Sequence, residues 1–198
     1  MHPHRVFAWH DEAEMLAFVA DVAFCTIFAA GVVVHVPVTV DGRCLRFHVS
    51  RNNQAAPMLD GATALISCLG PDGYVSPDWY GTPDQVPTWN YVAVEGEGPV
   101  RRLSEAELVA QIDALGAAHE ARLAPKRAWT RDKMAPGRFE AMLRGIVGVE
   151  VALDTLRGTR KLGQNKSPAE RHGAVAGLEM AGQRDLAVLM RAASDAAA

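Results

Sequence analysis

"AFCTIFAAGVVVHVPVTVDGRCLRFHV", residues 23–49, decides the fold. It is dense in β-branched and aromatic residues and reads as three strands. Ala29-Ala30-Gly31 breaks the first strand from the second. Asp41-Gly42 is a two-residue hairpin signal ahead of the third. Upstream, Asp11 can cap a helix whose apolar face is Met15, Leu16, Phe18, Val19 and Val22. Downstream, "NNQAAPMLDG" (52–61) is a short helix or turn limited by Pro57. "ATALISCLG" (62–70) is a buried strand expected to end at Gly70-Pro71. "TWNYVAVEGEGPVRRL" (88–103) returns to strand alternation, with Gly96 and Gly98 as candidate bulges.

The second half is mixed. Ser104-x-x-Glu107 is a capping box that opens a helix running to about residue 118. Residues 117–138 hold two prolines and read as irregular, and a short helix follows over 138–143. "GIVGVEVALDTLRGTRKL" (145–162) is a long strand or strand pair. Ser167-Pro168-x-Glu170 is a second capping box with proline at the first helical position, opening one or two C-terminal helices over about 167–196. Strands crowd together early and late without a βαβ rhythm, which predicts a mainly β antiparallel barrel with peripheral helices. No internal repeat and no Gly/Ser linker interrupts residues 1–198, so the expectation is a single domain.

Composition narrows the function. The chain has 198 residues, 49% apolar and 22% charged, as ordinary globular proteins do. A net charge of −3 favours neither nonspecific DNA binding nor an anionic membrane. Cys25, Cys44 and Cys68 each sit in apolar surroundings and read as buried reduced thiols of a cytoplasmic protein. "MHPHRVFAWHDEAEM" has no apolar signal-peptide core, and no apolar run reaches the ~18 residues that span a bilayer. There is no P-loop, G-x-S-x-G, H-E-x-x-H or C-x-x-C. His2, His4 and His10 could bind a metal but read as solvated terminal histidines, so no metal is expected.

Four features could carry chemistry. His35, before Val36-Pro37, is either a core histidine held by one hydrogen bond or a ligand-facing one. "HVSRNNQ" (48–54) ends a strand with His48, Ser50, Arg51, Asn52, Asn53 and Gln54. A guanidinium beside a hydroxyl and amides suits a phosphate, since arginine bonds it bidentately and backbone N–H groups add to the grip; a polar turn is the plainer reading. "SPDWYGTPDQVPTWNY" (76–91), with Tyr74, holds all three tyrosines and two of the four tryptophans in a chain only 7% aromatic. It is a wall for a flat ligand or a lid over the barrel end. "TRKLGQNKS" (159–167) bunches Lys161, Gln164, Asn165 and Lys166 ahead of the second capping box, as a pocket segment or a solvated loop. A phosphate grip, a wall of rings and amides able to read a heterocycle edge together fit flavin mononucleotide (FMN).

"HVP" (35–37), "HVSRNNQ" (48–54), "SPDWY" (76–80), "VPTWNY" (86–91), "GIVGVEV" (145–151) and "KLGQNKSPAERHGAVAGL" (161–178) resemble the PaiB-type FMN-binding negative transcriptional regulators. The resemblance implies an antiparallel split β-barrel, related to the flavin reductase and pyridoxamine-phosphate oxidase group, that works as a homodimer with FMN at the subunit interface. It places the flavin phosphate at Arg51 with Ser50, Asn52, Asn53 and Gln54 around it, and His35, Pro37 and His48 nearby. It assigns Trp79, Tyr80, Trp89, Asn90 and Tyr91 to an aromatic loop at the pocket. It assigns Lys161, Gln164 and Asn165 to a late motif that reaches the pocket from the partner. Asn52, Gln54 and Gly163 depart from the family pattern, and at Gly163 a serine hydroxyl contact is expected to be lost. Three functions follow. One is an FMN-binding regulator, whose DNA binding rests on the resemblance alone. Another is an FMN-dependent oxidoreductase of an unidentified small molecule. The third is a haem-binding relative.

Overall fold

The computed structural model describes residues 3–195, so His2 and position 196 of the expected C-terminal helical stretch lie outside the described residues. Its helices are α1 (Glu12–Val22), α2 (Glu105–Ala121), α3 (Arg138–Leu143), α4 (Pro168–Met180) and α5 (Arg184–Asp195). Its strands are β1 (Ala8–Trp9), β2 (Phe24–Ala29), β3 (Val32–Pro37), β4 (Thr39–Asp41), β5 (Cys44–Ser50), β6 (Thr63–Val75), β7 (Thr88–Arg102), β8 (Ile146–Ala152) and β9 (Thr155–Lys161). The strands hydrogen-bond in the order β3-β2-β6-β7-β8-β5-β4, and β9 pairs with β1 and β7. Two compact units form: residues 12–68 with 95–156, and residues 3–11, 69–94 and 157–195.

In the first of these units, side chains alternate cleanly. Cys25, Ile27 and Ala29 of β2, Val34 and Val36 of β3, and Leu45, Phe47 and Val49 of β5 are buried. The other face of β2, β3 and β6 carries an exposed apolar row beside a polar one. Register aligns Val33 with Phe28 and Phe28 with Leu65 in one row, and His35 with Thr26 and Thr26 with Ser67 in the next. Phe28, Val33 and Leu65 are 53%, 46% and 45% exposed. Strand β8 is buried on both sides because α2 covers its outer face. Gly148 permits that approach, since a Cβ there would lie 2.7 Å from Leu108 Cδ1. Leu103, Leu108 and Leu143 form a small second core, with Val109, Ile112, Phe139 and Ile146 packed against it.

In the other unit, β1 pairs with β9 at Ala8–Thr159 and Trp9–Gly158, and α4 packs on α5. Leu178, Leu186, Ala187 and Met190 are among its buried helical residues.

Several expectations change. The stretch 23–49 makes four strands rather than three, because Val38 turns its N–H to Ala23 O and separates β3 from β4. Strand β6 does not stop at Gly70-Pro71 but runs through to Val75, long enough to pair with the long β7. The candidate bulges Gly96 and Gly98 lie within β7 and also make room for residues 152–155: a Cβ on Gly98 would fall 1.7 Å from Ala152 O. Residues 145–162 form a strand pair, one of the two forms expected. Cys25 and Cys68 are buried but Cys44 is only half-buried. His35 is exposed, not a core residue. Among the described residues no helix is long and apolar enough to cross a membrane, and no cluster of three His, Cys, Asp or Glu side chains could hold a metal.

Candidate functional site

Strand β5 delivers its outer face, Arg46, His48 and Ser50, under α2. Arg46 Nε donates to Glu150 (2.6 Å), and Arg101 Nε donates to the other oxygen of the same carboxylate (2.8 Å). Burial alone would raise the Glu150 carboxyl, but the two guanidinium bonds outweigh it and hold it below the usual range. Beside this ion network His48 Nδ1 meets Gln111 Oε1 at 3.0 Å.

At the end of β5 the chain turns. Ser50 Oγ accepts from Asn52 N (3.2 Å), and Asn53 Oδ1 accepts from Ala55 N (2.9 Å). These two side chains therefore shape the turn, while Asn52 and Gln54 extend into solvent. Arg51 is fixed at three points: its N–H donates to Gly145 O (2.8 Å), its Nε to Arg144 O (2.8 Å) and its Nη2 to Ile146 O (3.2 Å). The pairing of Ser50 with Ile146 puts those carbonyls in reach. A pocket of about 360 Å³ opens here, with Arg51, Arg102 and Arg144 on its lining against Glu105 and Glu140. Arg102 and Arg144 escaped the sequence reading. They arrive from the end of β7 and the turn before β8, and only the pairing of β8 with both β5 and β7 gathers them. Elsewhere in this unit, His35 Nδ1 lies 3.1 Å from Thr26 Oγ1, and Pro37 ends β3 opposite Phe24.

The remaining sequence-derived residues lie in the other unit. Trp79 packs its ring on α4, where a Cβ at Gly177 would sit 2.2 Å from it. Tyr80 is buried, with Lys166 Nζ 4.5 Å over its ring; burial, then the Glu170 charge, raises its hydroxyl pKa. Trp89 is exposed, donates Nε1 to Asp72 (2.7 Å) and meets Tyr74 edge-on at 6.4 Å. Asn90 is buried against Met190 Sδ, and Tyr91 is half-buried. Lys161 donates Nζ to Thr88 (2.7 Å), and burial lowers its pKa. Gln164 folds back, accepting from Leu162 N (2.8 Å) and donating to Arg160 O (2.6 Å), which closes the turn at Gly163. Gly163 has φ +80°, so the backbone itself calls for glycine there. Asn165 is exposed.

Comparison with known proteins gives the family. A family model described as "Putative FMN-binding domain" matches residues 1–155. The chain is 32% identical over 106 residues to Protease synthase and sporulation protein PAI 2 of Bacillus subtilis, covering 54% of this chain and 50% of that protein. This chain thus spans half the length of that relative. An uncharacterised protein of Emericella nidulans is 28% identical over 184 residues, covering 76% of this chain and 73% of that one. Among solved structures, an FAD and heme binding protein from Mycobacterium smegmatis superposes with a TM-score of 0.60 at 18% identity, over 84% of this chain and 79% of that one. A flavocytochrome of Azotobacter vinelandii gives 0.58 at 13% identity, over 81% and 72%. These structures share the fold, an antiparallel split β-barrel.

Proposed function

The chain belongs to this FMN-binding family, and from that premise we propose that Arg51, with Arg102 and Arg144 beside it, holds the phosphate of FMN at the end of β5. The observation that carries this reading is the fixed guanidinium. Two backbone carbonyls orient Arg51 through Nε and Nη2, and the residue lines the pocket, so its guanidinium is already positioned there. A preoriented guanidinium loses little freedom on gripping an oxyanion. Three guanidiniums against two carboxylates leave the lining net positive, which suits a phosphate. The pocket's 360 Å³ lies within the range of small-molecule sites. FMN would supply redox chemistry; the chain's own residues bind and orient it. Ser50, Asn52, Asn53 and Gln54 frame the turn that carries Arg51, and His35, Pro37 and His48 belong to the same unit.

The rest of the reading follows the PaiB-type resemblance: a regulator acting as a homodimer. The exposed apolar row of Val33, Phe28 and Leu65 supports dimerisation, because a monomer seldom leaves so continuous a patch in water. In such a dimer the 161–165 segment, with Lys161, Gln164 and Asn165, is assigned to the partner's pocket. Trp79, Tyr80, Trp89, Asn90 and Tyr91, of the aromatic stretch, keep their assignment as flavin neighbours on resemblance alone. Incubation with FMN, desalting and a visible spectrum test the cofactor. Flavin bands near one equivalent per chain are expected. A colourless protein, or a Soret band from protein as purified, would overturn the reading, the second in favour of haem.

A further inference from the structure

We propose that the apolar pocket over His48 is a binding site for a neutral aromatic molecule of one or two rings that carries a hydroxyl group. The pocket has a volume of about 310 Å³. That is roughly twice the ~150 Å³ cavity that holds benzene. Its walls are Ile112 of α2, Trp129 and Met134 of the connection before α3, and Phe139 and Met142 of α3. Aromatic faces and mobile thioethers suit a flat guest and adapt to its outline. Trp129 and Met142 are left 45% and 55% exposed, apolar surface that a guest would cover.

The pocket holds little polarity. Among the described residues on its lining His48 is the only titratable side chain, with the Trp129 indole N–H the one other polar group, so a charged ligand would enter without a counter-ion. The Gln111 amide, itself 2% exposed, holds the ring through Nδ1. With Nδ1–H donating to Oε1, His48 Nε2 carries a lone pair and accepts from a ligand hydroxyl. Gln111 Nε2 is buried without a partner among the described residues. Keeping an amide so poorly satisfied costs stability, and what it secures is the tautomer and orientation of His48. Leu143 and Ile146 line both this pocket and the phosphate pocket, so the two sites adjoin and the test is run with and without FMN.

Calorimetry on the full chain tests it, with 1-naphthol and 1-methoxynaphthalene as probes, with and without saturating FMN. One equivalent of 1-naphthol should bind in both conditions, about tenfold tighter than the ether, as one hydrogen bond implies. His48→Phe should erase that difference. Met142→Trp, at an exposed position, should fill the pocket and abolish binding of both probes. Met134→Trp should do the same from the other wall, and circular dichroism identifies which variant is folded. Absence of heat with 1-naphthol, equal affinities in the native chain, or undiminished binding in a folded Trp variant would overturn the proposal. So would displacement of 1-naphthol by FMN, which would make the pocket part of the flavin's own seat. Naphthol binding by a chain that takes no FMN would leave this inference standing and remove the cofactor reading instead.

Discussion

Arg51 is a residue whose environment was legible from its neighbours in sequence but whose partners were not. A guanidinium among a hydroxyl and three amides points to an anion. That Arg144 and Ile146 orient it, and that Arg102 joins it, depends on strand pairing across some fifty to a hundred residues of chain. Arg51→Ala should weaken FMN binding by about 1.5–3 kcal/mol, the scale of a charge-assisted hydrogen bond, and leave riboflavin binding almost unchanged. Equal losses for both ligands in a fluorescence titration would point to a collapsed turn rather than a lost phosphate contact. Gly163 teaches the converse lesson. Compared by residue type it lacks a hydroxyl; by backbone it occupies a left-handed conformation that most side chains avoid.

At the scale of elements, both capping boxes were legible because capping is local. Ser104 and Glu107 exchange both bonds at the start of α2, as Ser167 and Glu170 do at α4. Glu107 also grips Arg101, and that bond first, then Ser104, pulls its carboxyl down to about 2. A depressed carboxyl stabilises above its unfolded pKa of about 4.3 and loses that contribution as pH falls toward 2. Thermal melts from pH 5 to pH 2 should therefore fall less steeply in Glu107→Gln than in the native chain, and parallel curves would remove Glu107 from the acid response. Helix α4 makes a second prediction. Its Gly177 lets the Trp79 ring lie on the helix, so Gly177→Ala must displace that ring. Overpacking of this kind costs about 1–3 kcal/mol, and an unchanged melting temperature would contradict the packing. The extent of β6 was hidden, because Gly-Pro is a strong local stop signal and only pairing with a long partner overrides it.

For the whole molecule, the antiparallel architecture was legible from short turns and crowded strands, whereas the exposed apolar row was not. Alternation along β2 reads apolar on both faces, and sequence alone cannot say which face is left uncovered. Light scattering should give twice the 21.3 kDa chain mass. Phe28→Glu combined with Leu65→Glu should reduce it to one chain, and an unchanged dimer would place the interface elsewhere. The regulator reading further predicts little or no bleaching of bound flavin by NADH or NADPH under anaerobic conditions. Bleaching at an enzymatic rate of about 1–10³ per second would make the protein a reductase.

The phosphate anchor at Arg51 is tested most directly by titrating FMN and riboflavin, which differ only in the phosphate, against the native chain and following flavin fluorescence. FMN should bind at least about tenfold more tightly, the discrimination one charged contact supplies. Equal affinities, or no quenching by either flavin, would contradict it.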